Sequence, residues 1–179
     1  MEYVVLGLLI LSPSSIYQLN KAFELGISLF YSASLGNIQR ALKLLEQKGF
    51  VEILTQEKTG RKKTIYGITI QGREAFDHWM VTPPELAHLE TTALAKVYFL
   101  GIYQDSKLKQ QILHGILSQV HQMTNQLKEL HHRLASLSIA ESDKEVFRYQ
   151  VKTLEYGIMA HEAALSWFQS ELDSIILSN

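Results

Sequence analysis

Two clusters of hydrogen-bond donors stand out in this sequence. Asn37, Gln39, Arg40, Lys43 and Gln47 lie between Ser34 and Gly49, and Lys58, Arg61, Lys62 and Lys63 follow shortly after. Amide, guanidinium and ammonium groups donate to acceptor-rich partners. Asn and Gln suit the edge of adenine, Arg suits guanine, and Lys and Arg suit phosphate oxygens. The chemistry on offer is recognition, not bond making. No nucleophile–base pattern accompanies it: GxSxG, GxxxxGK[ST] and a dinucleotide loop after a strand are all missing from the sequence. An enzyme is not expected.

Such donors act only if an element presents them. Ile38, Ala41, Leu42 and Leu45 recur at i, i+3, i+4 and i+7, which makes one apolar face of a helix with the donors on the other. Ser34 is placed to cap this helix, and Gly49 to end it in the left-handed conformation. Two β-rich runs, Phe50–Gln56 and Thr64–Ile70, then flank the basic segment, where Gly60 allows a tight tip. A solvated helix face and a charged, soluble turn would each be ordinary alone. Together they have the pattern of a winged helix-turn-helix on duplex DNA, with the helix in the major groove and the hairpin cations on phosphates or the minor groove. The candidate DNA-binding residues are Ser34, Asn37, Gln39, Arg40, Lys43, Lys58, Arg61, Lys62 and Lys63.

The surrounding segments fit a compact support for that helix. Glu2–Leu11 reads as an apolar helix ended by Ser12-Pro13, because Pro disfavours helical geometry in the residue before it. Ser14 or Ser15 caps a second helix carrying Ile16, Leu19, Ala22 and Phe23, which Gly26 ends. Ile27–Ser32 is a linker. Thr69 caps a further helix, Gln71–Met80, with Phe76 and Trp79 available for packing. Val81-Thr82-Pro83-Pro84 then breaks the chain, so the expected domains are 1–82, winged helix, and 83–179, helical.

The second half is all helical in pattern. Glu85–Tyr103 forms one helix, with Leu86, Leu89, Ala93, Val97 and Leu100 on a common side. Asp105 or Ser106 caps a longer one. Ile116, Val120, Met123, Leu127, Leu130, Leu134 and Leu137 alternate spacings of four and three, as in a coiled-coil seam. After Glu141-Ser142-Asp143 the alternation resumes at Phe147, Val151, Leu154, Ile158, His161, Leu165, Phe168, Leu172 and Ile175. Two seams joined by a short polar turn fold back as an antiparallel hairpin. Ile112, Leu113, Tyr149, Tyr156, Ala164, Trp167 and Ile176 remain as further apolar positions, so a homodimer is expected. Leu127, Leu130, Leu134, Leu154, Ile158, Leu165, Phe168 and Leu172 are the candidate dimerisation residues. The fold class is thus mainly α: a winged helix with a small β-hairpin, then an antiparallel coiled-coil-like dimerisation domain.

Composition bounds the compartment and excludes several chemistries. The 179 residues carry 17 Lys and Arg against 18 Asp and Glu, but the balance is +2 over residues 1–80 and −3 beyond. That asymmetry permits a nucleic-acid face in the first half. Cys is absent, which removes disulfides and thiolate metal sites. Among the seven His, His114 and His121 stand at i, i+7 and His131 adjoins His132, so the i, i+3 or i, i+4 spacing of a helical metal pair is missing. No metal or cofactor is expected. The apolar run Val4–Leu11 follows Glu2 instead of a basic region and is too short to span a bilayer. A cytoplasmic protein without a membrane partner is expected.

Several motifs carry a resemblance. VLGLL (5–9), Pro13, Tyr17-Gln18-Leu19, SLGNI (34–38), ALKLLEQKGFV (41–51), RKKTIYGIT (61–69) and GREAF (72–76) resemble the amino-terminal domain of PadR-type transcriptional regulators over residues 3–80. The family usually has Gly where this chain has Ile16, and commonly Tyr-Pro where it has Gln39-Arg40. The resemblance implies transcription regulation by a homodimer that binds promoter operators in double-stranded DNA, with repression the commonest consequence. A small-molecule effector is a further implied partner, and Trp79, Tyr98, Phe99, Tyr103, Tyr156 and Trp167 are the aromatic residues that could line its pocket. The competing expectation is a winged-helix interaction adaptor that no longer binds DNA.

Overall fold

The fold is that of a computed structural model, which describes residues 1–31, 34–56 and 64–178. It is mainly helical, with one β-hairpin. In order, it contains α1 (Glu2–Leu11), α2 (Ile16–Leu25), α3 (Leu35–Gln47), β1 (Val51–Gln56), β2 (Thr64–Ile68), α4 (Ile70–Val81), α5 (Leu89–Phe99), α6 (Ser106–Ala135) and α7 (Lys144–Leu177). Short 3-10 turns occupy Ile27–Leu29, Leu86–His88, Leu100–Ile102 and Glu141–Asp143. The chain divides into two compact units. One comprises Met1–Thr82 and Glu90–Gln104; the other comprises Pro83–Leu89 and the chain from Asp105 onward.

In the first unit, α1 is the central element. Val4, Val5, Leu6, Leu8 and Leu9 are all buried, so this helix is apolar on nearly every side. Ser15 caps α2 through a capping box in which Gln18 reciprocates, and Leu19 and Phe23 turn inward. Thr69 caps α4 by accepting from the Gly72 amide at 3.1 Å. The segment expected as one helix over 85–103 is a shorter α5 between 3-10 turns, and most of it belongs to this unit. The chain therefore leaves the first unit at Thr82, returns at Glu90 and leaves again after Gln104.

Three packing details explain the return. Gly7 leaves room on α1 for the Phe99 ring, since a Cβ there would lie 2.6 Å from Phe99 Cζ. Phe99 also meets Phe76 edge-on, with centroids 5.6 Å apart. Lys96 supplies the second tie. It is the one fully buried charged residue among those described, and its Nζ donates to the carbonyls of Trp79, Met80 and Thr82. These carbonyls close the C-terminal end of α4, where the helix leaves acceptors without internal partners. The Trp79 ring centroid lies 4.8 Å from the same amine, and Tyr3 stacks on Trp79 at 5.1 Å. Tyr103 adds a third tie by donating from its hydroxyl to Asp77 Oδ1 at 2.6 Å.

In the second unit, α6 and α7 form an antiparallel hairpin. An ion pair crosses it between Lys128 and Glu162 (2.6 Å), and His131 Nε2 lies 3.6 Å from a Glu155 carboxylate oxygen. Asp105 caps α6 by accepting from the Lys107 amide at 2.9 Å. Ile116, Val120, Phe168 and Leu172 are buried, whereas Leu127, Leu134, Leu154, Ile158 and Leu165 are half-buried. Leu130 is 37% exposed and Leu137 54%, so the α6 seam opens toward the turn. Its outer positions His114, Ser118, His121, Gln122 and Asn125 are exposed and polar. The outer face of α7 is different: Val146, Tyr149, Tyr156, Met159 and Trp167 all stand exposed. No helix among the described residues is long and apolar enough to cross a membrane.

Candidate nucleic-acid interface

The structure places α3 as an outward-presenting helix. Ser34 Oγ accepts from the Asn37 amide at 3.3 Å and so caps it. At the other end, the Phe50 amide donates to Leu45 O (2.9 Å) and the Gly49 amide to Glu46 O (3.0 Å). This is the Schellman arrangement, and it requires the left-handed backbone that Gly49 adopts at φ +71°. Ile38, Ala41, Leu42 and Leu45 are buried, which fixes the rotation of the helix about its axis.

That rotation decides which donors face outward. At 3.6 residues per turn, Gly36, Arg40, Lys43 and Gln47 lie opposite the buried stripe, and all four are exposed. Gln39 and Glu46 are exposed along one flank, while Asn37 and Leu44 lie along the other. Arg40 Nη2 donates to Asn37 Oδ1, so these two residues already form a pair. Tyr31, Asn37, Arg40 and Leu44 line a shallow surface depression together with the beginning of α1. Burial raises the Tyr31 pKa above its ordinary value, so its hydroxyl stays protonated at neutral pH. Lys48 points elsewhere: its ammonium pairs with Glu2 at 2.6 Å, and that hydrogen bond raises its pKa.

The hairpin is held close to its base. β1 and β2 pair antiparallel from Val51↔Ile68 to Ile53↔Tyr66, then shift register, so that Thr55 faces Ile65 and Gln56 faces Thr64. Leu54 is the extra residue of this bulge. On its other edge, Tyr66 exchanges two hydrogen bonds of 3.0 Å with Ser14, which anchors β2 to the turn between α1 and α2. Lys58, Arg61, Lys62 and Lys63, expected at the hairpin tip, lie outside the described residues.

Sequence reading thus finds the members of the helical face but misses its internal arrangement. The i, i+3 spacing of Asn37 and Arg40 is the one signal for their pairing. The Lys48–Glu2 bond spans 46 residues and leaves no local signal at all. Of the expected aromatic pocket residues, Trp79, Tyr98 and Phe99 pack against other rings of the first unit, Tyr103 bonds Asp77, and Tyr156 and Trp167 are exposed on α7. Among the described residues no group of three or more His, Cys, Asp or Glu is placed to hold a metal ion.

Comparison with known proteins finds similarity to a described family in the first half of the chain. Residues 5–78 match the family described as "Transcriptional regulator PadR-like family". The negative transcriptional regulator PadR of Bacillus subtilis (strain 168) is 26% identical over 103 residues, covering 56% of this chain and 57% of that protein. The match therefore spans little more than half of that curated relative. Among solved structures, Bacillus subtilis PadR in complex with operator DNA aligns over 97% of this chain and 98% of its own at 23% identity and TM-score 0.45. The PadR-like transcriptional regulator BC1756 from Bacillus cereus aligns over 99% of both chains at 26% identity and TM-score 0.41.

Proposed function

We propose that this protein is a DNA-binding transcriptional regulator that acts as a homodimer on promoter operators. The observation that carries this reading is the face of α3. Gly36, Arg40, Lys43 and Gln47 form an exposed row opposite the buried stripe, on a helix capped at both ends. A helix held this way enters a major groove with its first turns nearest the bases. The basic residues 58–63, by their place in sequence after β1, supply phosphate contacts. Repression follows when an occupied operator blocks a promoter, and the curated relative is named a negative regulator. The family description matched by residues 5–78 is likewise that of a transcriptional regulator.

Two copies would join through α7. Tyr149, Thr153, Tyr156, Ala160, Ala163 and Trp167 alternate spacings of four and three on its exposed side, a second seam of three aromatic and three small residues. A two-fold dimer built on it presents two α3 helices to two half-sites. Of the expected dimerisation residues, Phe168 and Leu172 are buried within a single copy, Leu127, Leu134, Leu154, Ile158 and Leu165 are half-buried and Leu130 is exposed, and Tyr149, Tyr156 and Trp167 add exposed aromatic surface.

The proposal is tested with duplexes selected from a random-sequence pool by the full-length protein. Arg40→Ala should lose about 1–3 kcal/mol on a selected duplex and much less on a scrambled one, as expected for a bidentate base contact. Lys43→Ala serves as the comparison. Equal losses of Arg40→Ala on both duplexes would reduce Arg40 to a phosphate anchor, and no loss on either would favour the adaptor. Separately, Arg61→Ala with Lys62→Ala should weaken binding to every duplex. Each lost phosphate contact should reduce the slope of log K against log salt by about 0.9. An unchanged slope would remove the hairpin from the interface.

A further inference from the structure

On the reading just proposed, that α3 meets duplex DNA, we infer that Asn37 is a positioning residue: its side chain holds the Arg40 guanidinium for base readout and does not itself read DNA. Three observations converge on this pair. The Asn37 amide donates to Ser34 Oγ at 3.3 Å, so the N-cap fixes the backbone from which the Asn37 side chain projects. Asn37 Oδ1 then accepts from Arg40 Nη2, which passes that constraint on to the guanidinium. Finally, Arg40 lies at the centre of the exposed face, whereas Asn37 is half-buried on its flank beside Tyr31 and Leu44. The residue best placed to reach a groove is thus steered by a neighbour that is less well placed.

The chemistry favours this division of labour. A free Arg side chain samples many rotamers, and ordering it at an interface opposes binding; a guanidinium held beforehand loses less freedom. One N–H donated to Asn37 leaves four for DNA, and a guanine edge takes only two. A Cβ built on Gly36 would meet only Ser34 Oγ, at 3.9 Å.

A double-mutant cycle tests the inference with the full-length protein and the selected and scrambled duplexes. Asn37→Ala should weaken binding to the selected duplex roughly fivefold to tenfold and change binding to the scrambled one by less than about twofold. In an Arg40→Ala background the same substitution should cause no further loss. Asn37→Asp retains an acceptor oxygen, so it should restore the ratio between the two duplexes even though its charge weakens both. Thermal melts should coincide for all variants, because both residues lie at the surface. Losses that multiply in the double variant would mean that Asn37 contacts DNA independently, and would overturn the inference while leaving the DNA reading intact. An Asn37→Ala protein that binds like wild type beside a defective Arg40→Ala protein would do the same. Failure of the wild type to select any duplex would instead overturn the DNA reading, and this inference with it.

Discussion

Replacing Tyr149 and Tyr156 together with Glu is expected to yield a folded monomer whose affinity for a two-half-site duplex falls by about 100-fold or more. The two tyrosines are 61% and 67% exposed in the single chain, so neither contributes much to the packing of α6 on α7. In the proposed dimer they would be covered. Two-fold symmetry would bring four new carboxylates into one apolar seam, where burying unpaired charge is strongly unfavourable. A monomer engages a single half-site and loses the effective concentration that couples the two, which contributes 10²–10⁴ in linked systems. Sedimentation of the variant, with circular dichroism as a check on helix content, reads the assembly state directly. A variant that stays dimeric would place the interface elsewhere, and a monomeric wild type would remove the dimer altogether.

Lys96→Met is expected to destabilise the first unit by about 2–4 kcal/mol, since buried carbonyls left without a donor cost about 1–3 kcal/mol each and some will recover partners. Met preserves much of the volume and apolar character of the Lys stem, so the loss reports mainly on the amine. The amine bonds Trp79, Met80 and Thr82 and packs over Trp79, so its removal should loosen α5 from α4. A difference under about 1 kcal/mol in denaturant unfolding would mean that other donors replace it.

The same residue sets a pH dependence. Burial lowers the Lys96 pKa from 10.5 to about 8, because an ammonium is poorly solvated there. The three carbonyls act in the opposite sense by stabilising the charged form. With the lowered pKa, the unfolded chain binds more protons than the folded one between about 8 and 10.5, so stability rises with pH across that window. The margin of wild type over Lys96→Met should therefore widen from pH 8 to 10. Tyr103 works the other way above its ordinary value of 10: burial and the Asp77 bond raise its pKa, so stability is lost as the unfolded tyrosine ionises. Taking the difference between the two proteins removes that contribution. A flat margin would show that the carbonyls keep the amine charged.

Much of this protein was legible from neighbouring residues alone. Ser34, Ser15, Thr69 and Asp105 cap the helices they precede, and Gly49 ends α3, because each acts on amides or carbonyls within one or two turns. The spacing of Ile38, Ala41, Leu42 and Leu45 set which side of α3 is buried, and so which donors are left outside. The two seams of α6 and α7 were equally readable, since a short polar turn leaves them little choice but to fold back.

Tertiary structure decided what depended on distant groups. A lysine reads as a surface residue, yet Lys96 is 1% exposed because α4 delivers three carbonyls from 14 to 17 residues away. Leu89 and Ala93 of the expected stripe are buried, but Lys96 and Phe99 are buried where Val97 and Leu100 were expected. The allocation of α5 to the first unit follows from the same contacts and from the room Gly7 leaves for Phe99. The pairing of the α6 and α7 seams likewise buries Phe168 and Leu172, covers their seam neighbours in part and leaves Tyr149, Tyr156 and Trp167 exposed. Caps and periodicity operate along a few residues of chain, whereas the cost of burying a charge or an aromatic ring depends on what the fold brings to meet it.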